Sequence, residues 1–165
     1  MIQRIVMVGS GVMGRGIAYV GAVGGYSVTL VDINEMALQH AKDEIEAIFE
    51  KGMKYGKISA DTAENARQKL TYETKLAEAA GRADLIIEAV PELASIKQQV
   101  FEELEQYASK ECYFATNTST MSPTEIASFG KRPDKTIAMH FFNPVHKMPL
   151  VEIVRGLETS DGTVE

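Results

Sequence analysis

A chain of 165 residues has room for one domain with a full hydrophobic core and hardly for two. Hydrophobic residues make up 45% and charged residues 24%, which excludes a disordered or collagen-like chain. The formal charge of −6 offers no attraction to nucleic acid or an anionic membrane, so neither is an expected partner and a small molecule is.

The single cysteine, Cys112, excludes an internal disulfide, and its place in the apolar run CYFATN marks a buried thiol in a reducing compartment. The opening MIQRIVMVGSG has too short an apolar run before its glycines for a signal-peptide core or a membrane span. A cytoplasmic protein without a targeting segment is expected.

In chain order, the run at 4–9 is β-branched and stops at glycine, and 27–32 repeats that pattern after a helical interval. Two parallel buried strands around a crossover helix are predicted, with Met13, Ile17 and Val20 on the helix's inner face and Gly21, Gly24 and Gly25 thinning its end. Asn34 is placed to cap a helix that buries Leu38, Ala41, Ile45 and Ile48 and breaks at GMKYGK. Ser59 caps a second helix carrying Ala63, Ala66 and Leu70, so 34–70 reads as a helical hairpin inserted into the strand–helix alternation. After TYET, the segment 83–90 is a strand that stops at Pro91, and Ile96, Val100, Leu104 and Tyr107 mark an amphipathic helix. CYFATN is the next strand; Ser122, Pro123 and Glu125 supply an N-cap, a first-turn proline and a capping-box partner for a short helix. KTIAMHFF and LVEIVR complete the strands. The alternation predicts an α/β domain over 1–165, with an open, doubly wound, mostly parallel sheet covered on both faces.

The segment Gly9-Ser10-Gly11-Val12-Met13-Gly14 is a G-x-G-x-x-G that directly follows the first strand and opens the first helix. Gly9 permits the tight turn, Gly11 lets backbone approach a pyrophosphate, Gly14 lets helix and strand pack closely, and the helix N-terminus at Val12 and Met13 offers free N–H groups to the phosphates. Asp32 lies eighteen residues after Gly14, at the end of the second strand, where a carboxylate meets ribose hydroxyls and repels a 2′-phosphate. NAD is the expected cofactor. Glu92, Asn117, Ser119, His140 and Asn143 all fall at the carboxyl ends of later strands, where ligands of such sheets bind. His140 precedes Glu152 by twelve residues, enough for a turn that pairs them; spacing leaves His140 equally open to proton transfer and to a structural hydrogen bond.

The segments GSGVMGRGIA, LVDIN, DLIIEAVPE, TNTST and MHFFNPVHKMPLVEIV, in this order, closely resemble the NAD-binding domain of the 3-hydroxyacyl-CoA dehydrogenases, including 3-hydroxybutyryl-CoA dehydrogenases. The resemblance covers essentially the whole chain and implies a Rossmann-type fold. It also implies that His140 is the general base, Glu152 its partner, and Ser119 the hydroxyl that hydrogen-bonds the substrate's 3-oxygen. By the same resemblance Asp32, Glu92, Lys97, Ser119 and Asn143 are NAD contacts, and Asn117 lies close to an acyl-CoA substrate. The family's helical hairpin helps hold coenzyme A, and Lys51, Lys54 and Lys57 at its turn are candidates for the phosphates, a solvated turn being equally open. His40 and His146 are expected at the surface, and no metal is expected. Family members continue into an all-helical domain that closes the cleft and makes the dimer interface, whereas this sequence ends at Glu165. The alternatives are a sugar-acid dehydrogenase of the gulonate type within the same superfamily, and a non-catalytic NAD-binding module.

Overall fold

The computed structural model describes residues 1–165. Strands β1 (Arg4–Val8) and β2 (Ser27–Val31) flank helix α1 (Val12–Val23). Helices α2 (Glu35–Lys54) and α3 (Ala60–Gln68) follow, then β3 (Leu70–Glu73), α4 (Leu76–Ala80) and β4 (Leu85–Glu88). Helix α5 (Ala94–Tyr107), β5 (Tyr113–Thr116), α6 (Pro123–Ala127), β6 (Thr136–Phe141), β7 (Val151–Arg155) and the short α7 (Asp161–Val164) complete the chain. The seven strands form one sheet in the order β3-β2-β1-β4-β5-β6-β7. All neighbours are parallel except β6 and β7, which pair antiparallel. The strand order reverses between β1 and β4, which opens a crevice beyond their carboxyl ends.

Side chains alternate between the two faces of the sheet, so each strand feeds two cores. Ile5 and Met7 join Tyr19, Leu38, Ile45 and Phe49 under α1, α2 and α3. Val6 and Val8 join Leu76, Phe101, Phe114 and Ile126 under α4, α5 and α6. Each large side chain withdrawn from water contributes about 1.5–3 kcal/mol. No helix is long and apolar enough to cross a membrane.

The caps expected at Asn34 and Ser59 form: each side chain accepts from the backbone N–H three residues on, at Ala37 and Thr62. Ser122 caps α6 differently from the expected box, because its hydroxyl accepts from the Thr124 amide one residue nearer. Helix α2 also runs through the glycine expected to break it. A Cβ at Gly52 would stand 3.0 Å from Cγ1 of Ile58, so the missing side chain lets the following loop fold tightly onto the helix. The buried face of α5 is Lys97, Phe101 and Leu104, with Tyr107 46% exposed, so a lysine occupies a position the apolar pattern assigned elsewhere. Cys112 is fully buried, and burial pushes its thiol up to about 12.

Asp84 fastens the start of β1 to the start of β4. Its carboxylate accepts from the Gln3 and Arg4 amides at 3.0 and 2.9 Å and from the Arg4 guanidinium at 2.6 Å. The Arg4 guanidinium holds the Asp84 carboxyl far below the usual aspartate range. A lowered folded value means that the stabilisation is complete above the unfolded aspartate value, about 4, and is lost as pH falls through the folded one. Urea titrations of Asp84→Asn are expected to show a shallower loss of stability with acid below about pH 4 than the wild type shows; parallel curves would remove Asp84 from that role.

Candidate functional site

After β1 the chain turns through Gly9, whose φ of 98° lies in the left-handed region. A Cβ there would lie 2.7 Å from the Ala89 carbonyl oxygen, and one at Gly14 would lie 1.8 Å from the Gly9 carbonyl oxygen. Both glycines are therefore demanded by packing. Gly11 is not: nothing stands within 4 Å of the position its Cβ would take. It is the N-cap of α1, where no side chain caps the exposed amides and no acidic residue sits in the first turn. Val12 beside it is 52% exposed and Met13 is half-buried. A bare backbone cradle at an uncapped helix N-terminus fits a dinucleotide's pyrophosphate.

Asp32 stands next to this cradle and is joined to it. Its Oδ2 accepts from the Ser10 amide at 2.9 Å and the Ser10 hydroxyl at 2.7 Å, while Oδ1 accepts from the Asn34 amide at 3.0 Å. A carboxylate held at the end of β2 fits the ribose hydroxyls of NAD. Ser10, buried behind it, was not singled out in the sequence; the only signal was a hydroxyl within the glycine motif.

On the other side of the crevice a buried polar cluster supports the ends of β4 and β5. Glu88, with no exposed surface, accepts from the Val90 amide and the Lys97 ammonium, both at 2.7 Å, and from the Thr116 hydroxyl at 2.8 Å. The Lys97 ammonium also reaches Glu92 Oε2 at 2.9 Å, and its side chain has no exposed surface. Glu92 further accepts from the hydroxyls of Thr118 and Thr120. Burial raises the Glu92 carboxyl, but the hydrogen bonds from Thr118, Lys97 and Thr120 and the Lys97 charge outweigh it and hold the group below the usual glutamate range. Lys97 therefore bears on the crevice through Glu92. Thr118, buried between the predicted Asn117 and Ser119, and Glu88 were both missed; a glutamate inside the apolar run LIIEAV was the available signal.

At the far end of the crevice β6 and β7 pair His140 directly opposite Glu152. His140 Nδ1 lies 2.8 Å from Glu152 Oε2, and since a carboxylate only accepts, Nδ1 carries the hydrogen and the neutral ring leaves its lone pair on Nε2. The Phe142 ring packs against the imidazole with centroids 4.6 Å apart. Asn117 is tied to the same strand end, its side-chain oxygen accepting from the Phe141 amide at 2.9 Å. Ser119 and Asn143 are exposed beyond β5 and β6. Lys51, Lys54 and Lys57 are exposed at the hairpin turn, with the Lys54 ammonium 5.7 Å from the centre of the Tyr55 ring. His40 is exposed; His146 is also exposed but edges onto Tyr19 at 6.1 Å, where burial and the nearby Lys147 and Lys51 lower its pKa.

The chain is 42% identical over 163 residues to a fatty acid oxidation complex subunit alpha from Idiomarina loihiensis, covering 99% of this chain and 23% of that protein. It is 40% identical over 164 residues to a 3-hydroxyadipyl-CoA dehydrogenase of Escherichia coli K12, covering 99% of this chain and 34% of that one. The crystal structure of 3-hydroxybutyryl-CoA dehydrogenase from Escherichia coli K12 superposes with a TM-score of 0.95 at 39% identity, over 99% of this chain and 34% of that one. The chain thus spans from about a quarter to a third of the length of these relatives. Residues 4–165 match the family described as 3-hydroxyacyl-CoA dehydrogenase, NAD binding domain, and the chain belongs to that family.

Proposed function

We propose that residues 1–165 form one nucleotide-binding domain of an NAD-dependent dehydrogenase that interconverts 3-hydroxyacyl-CoA and 3-oxoacyl-CoA. The observation that carries this reading is the His140–Glu152 pair at the carboxyl end of β6, the same end of the parallel strands as the glycine loop and Asp32. His140 is the general base. Glu152 holds its Nδ1–H, so Nε2 takes the proton of the substrate's 3-hydroxyl, and in reduction the same nitrogen returns it. NAD, when bound, accepts the hydride that leaves C3. Ser119 donates its hydroxyl to the 3-oxygen. Asn117, whose side-chain oxygen is engaged by Phe141, has its NH2 left to donate to the substrate.

Gly9, Gly11, Val12, Met13, Gly14 and Asp32 hold the adenosine half and pyrophosphate of NAD, and Glu92, Ser119 and Asn143 meet the nicotinamide half. Lys97 contributes by fixing Glu92. Lys54, with its neighbours at the hairpin turn, meets coenzyme A phosphates. On this reading the protein is cytoplasmic, and dimerisation belongs to a helical domain outside these residues.

The test is oxidation of NADH by the chain in the presence of acetoacetyl-CoA. Oxidation that depends on the acyl-CoA is expected. NADH that binds, as seen by its fluorescence, but is oxidised no faster with acetoacetyl-CoA than without it, both by the chain alone and by the chain joined to a helical domain of this family, overturns the reading.

A further inference from the structure

Ser10 occupies a variable position of the glycine motif, yet it is 4% exposed and its hydroxyl donates to Asp32. Its amide and its hydroxyl converge on one oxygen, Oδ2, while the Asn34 amide holds Oδ1 from the opposite side. The Gly9 amide adds a 2.8 Å bond to the Val31 carbonyl, so the loop after β1 and the turn after β2 are fastened together around Asp32. Of the three donors to the carboxylate, only the Ser10 hydroxyl belongs to a side chain, and it makes the shortest bond, 2.7 Å. It is the one anchor that a substitution removes without disturbing backbone.

We propose that Ser10 is a specificity-determining positioning residue, which locks the Asp32 carboxylate in the orientation that accepts a ribose diol and denies it the rotation needed to admit a 2′-phosphate. Recognition of two neighbouring hydroxyls requires a carboxylate whose plane is fixed, because a freely turning group must give up that freedom on binding. Rejection of a phosphate requires the same fixity. A carboxylate that swings away from an incoming negative charge no longer repels it at close range, whereas one held by three donors must break a charge-assisted bond to move. The inference rests on nucleotide binding and is independent of the acyl-CoA reading.

The experiment is a fluorescence titration of NADH and NADPH against the wild type, Ser10→Ala, Asp32→Asn and the double variant. Ser10→Ala is expected to weaken NADH binding by roughly tenfold, the scale of one hydrogen bond to a charged group, without weakening NADPH binding to match. The preference for NADH over NADPH then falls by about tenfold. In the Asp32→Asn background the same substitution is expected to change that preference by less than about twofold, because its effect passes through the carboxylate. Ser10→Thr, which keeps the hydroxyl, restores most of the preference. Equal losses for both nucleotides, an unchanged preference, or the same effect with and without Asp32 would each overturn the proposal. Should Ser10→Ala fail to fold, Ser10→Cys carries the same expectation with a near-isosteric, weaker donor.

Discussion

Replacing His140 with alanine is expected to slow acyl-CoA-dependent oxidation of NADH by about 10²–10⁴-fold, the usual contribution of a positioned acid–base group. NADH binding is expected to stay within about twofold, since the imidazole sits at the far end of the crevice from the glycine loop and Asp32. The fold should survive as well. The imidazole is partly exposed, its carboxylate partner is 52% exposed, and an open pair of that kind adds at most about 1 kcal/mol. Glu152→Gln is expected to cost less than the alanine variant, because the amide oxygen still accepts from Nδ1 and keeps the tautomer, while the negative charge that favours imidazolium is gone. Rates from rapid mixing with acetoacetyl-CoA check both variants. A His140→Ala rate within a few-fold of the wild type would remove His140 from the chemistry and leave it a hairpin residue.

The largest effect on stability is expected from Lys97→Met. The substitution keeps most of the side-chain volume but withdraws the ammonium from between Glu88 and Glu92, leaving Glu88 with no solvent and no counter-charge. Stranding one partner of a buried pair costs about 3–5 kcal/mol, much of the stability of a domain this size. Urea denaturation reads it directly. Glu88→Gln in the Lys97→Met background is expected to recover most of the loss, because the remaining group is neutral, its amide oxygen still accepts from Val90, and its NH2 can donate to the Thr116 hydroxyl in place of the bond that the second carboxylate oxygen accepted. A Lys97→Met protein within about 1 kcal/mol of the wild type would mean that the cluster is not held together by charge. NADH binding to the variant should weaken too, since Glu92 loses its cationic anchor.

Much of the β1–α1–β2 unit was legible because parallel buried strands read as apolar runs and the glycine motif marks their junction. The hairpin α2–α3 was legible from its periodicity and its two capping side chains, except that Leu70, counted with the second helix, lies past its end at Gln68 and opens β3. Strand β3 was not: LTYE is short, partly exposed at the edge of the sheet, and identified only by the partner it finds in β2. The five residues of α4 are too few to show a period. At the site, single residues with a known type of task, such as Asp32 and His140, could be picked out. Their supports could not, because Ser10, Glu88 and Thr118 earn meaning only from which side chains the strand ends bring within bonding distance. Lys97 is the sharpest case. An apolar pattern assigns a lysine to solvent, and here two carboxylates, at the end of β4 and in the turn that leads into α5, hold it inside.

The hairpin that joins β6 to β7 carries a parity constraint. Its register matches Met139 with Ile153, His140 with Glu152 and Phe141 with Val151. A slip of one residue along either strand would set the imidazole against Val151 or Ile153, neither able to hold a proton in place, and would turn every side chain of β7 to the opposite face. The connection 142–150 is therefore free to lengthen or shorten only by changes that its own loop absorbs, with the ladder on either side left unmoved. An insertion there beyond Phe142, whose ring packs on the imidazole, leaves the register of the pair unmoved, and the same insertion a few residues later, inside β7, disconnects it.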